Sequence, residues 1–201
     1  MELDLDAQLA AARARARLDT TEAPSPGNVR GGSGDPSRGA WVTRKEVADA
    51  VGTWTLDPFS NPRSHIVCDH RCMLEDGGDG FGDGTPGMFR VGDGYPMRAT
   101  ADWRVWLQPP YAKGWVDRAL DHYGHTRFCA LLRFDPRPPW FDRVYALARF
   151  VVVLKSSDFE PPPGADDPGS TFPHALFYAD PSDVTAEALR LGVSWRTRYD
   201  T

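Results

Sequence analysis

From Trp41 to Leu191, short apolar runs alternate with stretches in which apolar residues recur every three or four positions. Val105-Trp106-Leu107, the run from Thr126 to Phe134, Phe150 to Leu154 and Ala175 to Tyr178 are bounded by Pro, Gly or charged residues and predict strands, the second buried on both faces. Trp54-Thr55-Leu56 predicts a further strand, halted at Asp57-Pro58. Val47 and Val51, four apart, predict a short helix within residues 42–51, opened by Thr43 as its N-cap. Trp115, Ala119, Leu120 and Tyr123 share a helical face, residues 140–148 read as another helix, and 183–191 as a last one with Gly192 at C′. This alternation predicts an α/β fold, a sheet with helices on both faces.

Ahead of that pattern the chain differs. Residues 3–18 are rich in Ala and Arg, with Asp4 and Asp6 early and Arg13, Arg15 and Arg17 late, which suits a helix and its dipole. Residues 19–39 turn to Pro, Gly, Ser and Thr, the composition of a flexible linker. The chain therefore divides into an N-terminal helix with linker, 1–39, and a folded domain, 40–201. No apolar run is long enough for a membrane helix, the start is acidic where a signal peptide would be basic, and the chain has three cysteines, an odd number. A reducing cytoplasm is the expectation. A net charge of −5 excludes indiscriminate polyanion binding. A local basic surface is drawn from Arg127, Arg133, Arg137, Arg143, Arg149 and Lys155 against Asp135 and Asp142, with the N-terminal arginines as a flexible phosphate-binding arm.

The segment richest in chemistry is Gln108-Pro109-Pro110-Tyr111, just past a predicted strand, where open α/β sheets take their ligands. Two prolines remove two donors and fix rigid carbonyls; the amide before them adds an acceptor, and the tyrosine adds a stacking face. Such a site can hold an exocyclic amino group and its ring, although these four residues alone are equally a stiffened turn with an aromatic plug. Upstream, Asp57-Pro58-Phe59 opens a turn of small residues suited to a polar, cationic cofactor; an Asp-Pro turn ending a strand is the plainer reading. Asp93, beside Gly94, is positioned either to bond an adenine or ribose edge or simply to shape a loop. Gly80-Phe81-Gly82-Asp83-Gly84-Thr85 imitates a glycine-rich cofactor loop, but no predicted strand delivers it, so it reads as a mobile surface insertion within the acidic, glycine-rich stretch 76–94. His65, Cys68, His70 and Cys72 are potential metal ligands without the separated-pair spacing of zinc sites, and no metal is expected; His122 and His125 read as surface residues at a helix end.

In this order and spacing the segments resemble one family, the phage-type DNA N6-adenine methyltransferases. The resemblance runs from Trp41-Val42-Thr43-Arg44 through Leu56-Asp57-Pro58-Phe59-Ser60-Asn61-Pro62-Arg63-Ser64, Asp93-Gly94, Trp103 and Val105-Trp106-Leu107-Gln108-Pro109-Pro110-Tyr111. It continues through Trp115-Val116, Leu131-Leu132, Trp140-Phe141 and Phe172-Pro173-His174-Ala175-Leu176-Phe177-Tyr178, about two-thirds of the chain. It implies a Rossmann-like methyltransferase sheet and a phage- or prophage-encoded enzyme of the bacterial cytoplasm. S-adenosylmethionine would be held by Thr43, Asp57, Pro58, Phe59 and Asp93. A base flipped from double-stranded DNA would be held by Gln108, Pro109, Pro110 and Tyr111. The resemblance also implies a helix over residues 65–72. Position 108 is Gln where the family usually carries Asn, Asp or Ser, and Arg44 stands where a proline is usual. The alternatives are a lapsed or repurposed methyltransferase fold that only binds nucleic acid or a protein, and transfer to the N4 amino group of cytosine.

Overall fold

The computed structural model describes residues 42–73, 76–110, 114–155, 159–161 and 173–197. The predicted helix over 3–18, the linker, Trp41, Tyr111 and Phe172 lie outside the described residues. In chain order the elements are β1 (Val42–Thr43), α1 (Lys45–Val51), β2 (Thr53–Ser60), β3 (Val67–Met73), β4 (Met88–Phe89), β5 (Met97–Arg98) and β6 (Arg104–Leu107). There follow α2 (Trp115–Tyr123), β7 (Arg127–Arg133), α3 (Pro139–Leu147), β8 (Phe150–Leu154), β9 (Phe159–Glu160), β10 (His174–Tyr178), α4 (Ala186–Arg190) and β11 (Gly192–Arg196).

Seven strands form one sheet in the order β11-β8-β10-β7-β6-β2-β3. The pairs β3-β2, β2-β6 and β6-β7 are parallel, whereas β10 runs antiparallel to both β7 and β8, and β11 antiparallel to β8. Alternate residues of the central strands feed two cores. Val105, Leu107, Phe128, Ala130, Leu132, Ala175 and Phe177 meet Val116, Leu120 and Tyr123 of α2 and Phe141 and Val144 of α3. Trp106, Cys129, Leu131, Leu176 and Tyr178 meet Val47, Ala48 and Val51 of α1 and Ala188 of α4. Helices therefore cover both faces of a mixed sheet. Burying each of the large side chains contributes about 1.5–3 kcal/mol. Among the described residues no helix is long and apolar enough to cross a membrane.

Three local expectations are corrected. Thr43 is not an N-cap: it belongs to β1, and Arg44 precedes α1 without a side-chain cap bond. The strand does not halt at Asp57-Pro58 but continues to Ser60, because a bulge between Asp57 and Ser60 accommodates the proline that cannot donate to the ladder. Residues 67–73 form a strand and not a helix; their burial follows a two-residue period, with Val67 57% exposed and Cys72 buried. Parallel strands ordinarily need a crossover of a dozen or more residues, yet only residues 61–66 separate β2 from β3. The Arg71 guanidinium holds this strap by donating to the carbonyls of Ser64 and Ile66, and Ile66 is wholly buried.

The last helix is shorter than expected. Pro181–Asp183 forms a 3-10 turn, and Thr185, accepting from the Ala188 amide at 2.9 Å, caps α4. Gly192 is not a C′ residue; it opens edge strand β11, where a Cβ would come within 1.8 Å of the Val153 carbonyl oxygen. Gly192→Ala is expected to lower stability by about 1–3 kcal/mol through overpacking against β8. Urea unfolding of the variant against the parent measures this.

Candidate functional site at the carboxyl edge of the sheet

The parallel strands β2, β6 and β7 deliver Ser60, Leu107 and Arg133 to one edge of the sheet. Immediately past β6, Gln108 is half-buried, Pro109 buried and Pro110 exposed. The amide of Gln108 is not loose: the Thr43 hydroxyl donates to its Oε1. Thr43 lies in a two-stranded ribbon, β1 with β9, in which Thr43 pairs with Phe159 and Val42 with Glu160. The ribbon is fastened over the edge at three further points. Glu160 accepts from the Lys45 amide at 3.2 Å and lies 3.2 Å from His65 Nε2; the Arg63 guanidinium donates to the Pro161 carbonyl at 3.0 Å; and the Phe159 ring meets His174, the first residue of β10, edge-on at 4.8 Å. Residues 65 and 160 thus join segments that sequence spacing leaves unconnected. The only sequence signal for His65 was its place among potential metal ligands.

Asp57 is 2% exposed. Its carboxylate accepts from the Phe59 amide at 3.2 Å and the Ser64 hydroxyl at 3.5 Å, with the Arg71 charge nearby. Burial outweighs these partners and pushes its pKa from 3.8 up to about 6. Pro58 sits in the bulge, and Phe59 packs against Phe81, Trp115 and Tyr123 with ring centroids 5.2, 6.2 and 6.3 Å away.

The glycine-rich segment is not a mobile insertion. A Cβ on Gly80 would stand 2.1 Å from the Pro58 carbonyl oxygen, so only glycine permits the approach. The Tyr123 hydroxyl donates to the Gly80 carbonyl. Phe81 is buried between Phe59, Trp115 and His122, with the Arg118 guanidinium 3.9 Å above its ring. The expectation failed because it sought a strand to carry the loop, whereas a side-chain anchor holds it against β2. His122 is likewise not on the surface: it is buried, its Nε2 lies 2.7 Å from the Met88 carbonyl, and burial lowers its pKa.

The structure brings Thr43, Asp57, Pro58, Phe59, Gln108, Pro109 and Pro110 to the carboxyl edge. Asp93 stands exposed in the connection between β4 and β5. Cys68, His70 and Cys72 alternate along β3; His70 stacks on Trp103 at 5.5 Å, and burial pushes the Cys68 and Cys72 thiols up to about 11 and about 12. Among the described residues no group of three or more His, Cys, Asp or Glu is arranged to hold a metal.

The basic stretch is less available than its composition suggests. Arg127 pairs with Asp183 at 2.6 Å and Asp180 at 3.3 Å, Arg143 with Asp117 at 2.8 Å and with Asp121, and Arg137 with Asp135 at 2.8 Å. Arg127 opens β7 and Arg149 precedes β8, on the edge opposite the site, while Arg133 and Lys155 stand at the carboxyl ends of those strands. Arg133, Asp135, Arg137, Pro138 and Trp140 line a shallow concavity there.

Asp57 makes stability depend on pH in a definite direction. Between its unfolded value of 3.8 and its folded value of about 6, the native state keeps a proton that the unfolded chain has lost. Its contribution therefore falls as pH rises through that window, by up to about 3 kcal/mol. Asp57→Asn is expected to remove this slope and to melt higher than the parent near neutral pH; paired thermal melts across the window measure the difference.

Compared with protein-family models, with curated proteins and with solved structures, the chain matches none of them.

Proposed function

We propose that the protein transfers a methyl group from S-adenosylmethionine to the N6 amino group of adenine in DNA, on a Rossmann-like sheet. One observation carries this reading. The chain passes from β2 to β3 on one side and reaches β6 on the other, and the crevice outside the carboxyl ends of β2 and β6 is where open α/β sheets take ligands. The Asp57 bulge lies on one wall of that switch point and Gln108-Pro109-Pro110 on the other.

The residues fit the cofactor in one respect on which its chemistry depends. A buried carboxylate held near pKa 6 is stabilised as an anion by a cationic ligand, and Asp57 offers that partner, with Pro58 and Phe59 in the bulge beside it. The cofactor supplies an electrophilic methyl group. The chain's own work is positioning. Gln108 Oε1 keeps a second lone pair beyond the one that receives Thr43, and a carbonyl of the Pro-Pro pair offers another acceptor. Together they accept the two hydrogens of an amino group and orient its nitrogen lone pair toward the methyl. Tyr111 stacks the ring, and the base leaves the helix because its amino nitrogen is inaccessible inside the stack. Placement and fixed dipoles account for the rate: the nitrogen–methyl bond would form as the sulfur–methyl bond breaks, and one amino proton would pass to solvent, with no acid or base on the Gln-Pro-Pro segment. Arg133 and Lys155, at the same edge, are the local contacts to DNA phosphates.

A second reading, a fold that binds nucleic acid without chemistry, is favoured by the length of Gln108 and by the prior engagement of its acceptor. Methyl incorporation decides between them. Purified protein, labelled S-adenosylmethionine and unmethylated DNA are expected to yield N6-methyladenine by mass spectrometry of the digested product. Gln108→Ala is expected to lower turnover roughly 100-fold, as for loss of one preorganised polar partner. Tyr111→Ala removes stacking worth about 1–3 kcal/mol, with cofactor affinity retained. Incorporation into cytosine alone would transfer the assignment to the N4 amino group, and no incorporation into any DNA would reject methyl transfer.

A further inference from the structure

Gln places its terminal carbonyl one methylene, roughly 1.5 Å, farther from the backbone than Asn. It also adds a rotatable bond, so an unheld glutamine spreads its acceptor over several positions. A misplacement of about 1 Å is enough to lose roughly 100-fold in rate. At a site whose work is placement, the longer side chain needs a hold that a shorter one does not.

Thr43 has the properties of such a hold. It lies 65 positions from Gln108 in sequence, is 2% exposed, and its hydroxyl donates to Gln108 Oε1. Its β-branched side chain has a restricted χ1. Its backbone is paired with Phe159, and the next turn of chain is fastened to Glu160 through the Lys45 amide. Glu160 in turn faces His65, and Pro161 accepts from Arg63, so the ribbon is braced against the strap that leaves β2 after the Asp57 bulge. A hydroxyl donating to Oε1 also selects which end of the amide faces Thr43 and leaves one lone pair for a substrate hydrogen.

We infer that Thr43 is a positioning residue for Gln108: it draws the longer amide back and fixes its acceptor, so that the Thr43–Gln108 pair performs the task a single shorter asparagine performs alone. This rests on the methyl-transfer reading above. The role differs from that of a cofactor contact, which the resemblance implied for Thr43. A residue that touches the cofactor changes cofactor KM when truncated; one that acts through Gln108 changes kcat.

A double-mutant cycle in the full-length chain tests it. Thr43→Val is expected to lower kcat roughly 10- to 100-fold with cofactor KM held within about twofold. Thr43→Ser, which keeps the hydroxyl, is expected to restore kcat to within about threefold of the parent. Once Gln108→Asn has withdrawn the amide from reach, adding Thr43→Val is expected to lower kcat less than about threefold further. The side-chain amide resonances of Gln108 are expected to move in Thr43→Val and to stay in Thr43→Ser. Equal losses from Thr43→Val in both backgrounds, a rise in cofactor KM without a fall in kcat, or unmoved Gln108 resonances would each overturn the inference while leaving methyl transfer intact. A parent protein that methylates no DNA would instead bring down the reading on which it rests. Thermal melts of every variant separate these outcomes from a loss of fold.

Discussion

Both faces of the central strands must be kept from water. From Phe128 to Leu132 and from His174 to Tyr178 every residue is buried, whichever way it points. That constraint calls for cover on both sides: α1 and α4 pack together over one core and α2 with α3 over the other. With both faces closed, polar chemistry is left to the two edges where strands begin and end. The edges are built differently. At the amino edge the carboxylate of Asp183, 3% exposed, is shared by Arg104 and Arg127, and the Arg104 guanidinium lies 4.7 Å from the Trp54 ring centroid. Those charges pair with one another. At the carboxyl edge Asp57 is buried beside the Phe59 amide, the Ser64 hydroxyl and the Arg71 charge, and burial raises its pKa to about 6. The amino edge is held by ion pairs, whereas the carboxyl edge keeps a buried carboxylate whose charged form is disfavoured.

Much of the scaffold was legible because its strands and helices carry strong local periods. The helix over 115–123 and the strands over 150–154 and 105–107 agree with the sequence pattern to within a residue, since each is bounded by Gly, Pro or charge. The elements that escaped are those fixed by tertiary partners. Residues 67–73 have no dense apolar pattern; they become a strand because β2 offers an unpaired edge and Arg71 ties down the return. β11 was masked by a glycine that looks like a helix stop but is demanded by the closeness of Val153.

The candidate site was legible in part, for the same reason. Gln108-Pro109-Pro110 and Asp57-Pro58 stand out because each sets proline beside a polar side chain after an apolar run, and the fold does carry them to one edge. Thr43 was singled out, but its attachment to Gln108 depends on a pairing between β1 and β9, more than a hundred residues apart, that no local pattern announces. Glu160 was invisible as a site neighbour, and Ser64 and Arg63 were noticed only as part of the stretch that follows Asp57: each is an ordinary polar residue whose importance comes from what it meets. Conversely, a charge count made residues 127–155 look like one basic surface, whereas strand direction distributes them between opposite edges and ion pairs take up three of the arginines.

The strap between β2 and β3 has a mechanical meaning. To start β3 in parallel register the chain must return along β2, roughly 23 Å at about 3.3 Å per residue, using only residues 61–66 and a turn in which the Ser64 amide bonds the Asn61 carbonyl at 3.0 Å. Such a connection is drawn tight. It leaves the bulge at Asp57, carries the Ser64 hydroxyl that bonds Asp57, and ends at the outermost strand of the sheet among the described residues. So short a strap leaves little slack, and the place of the bulge and the place of β3 are set together.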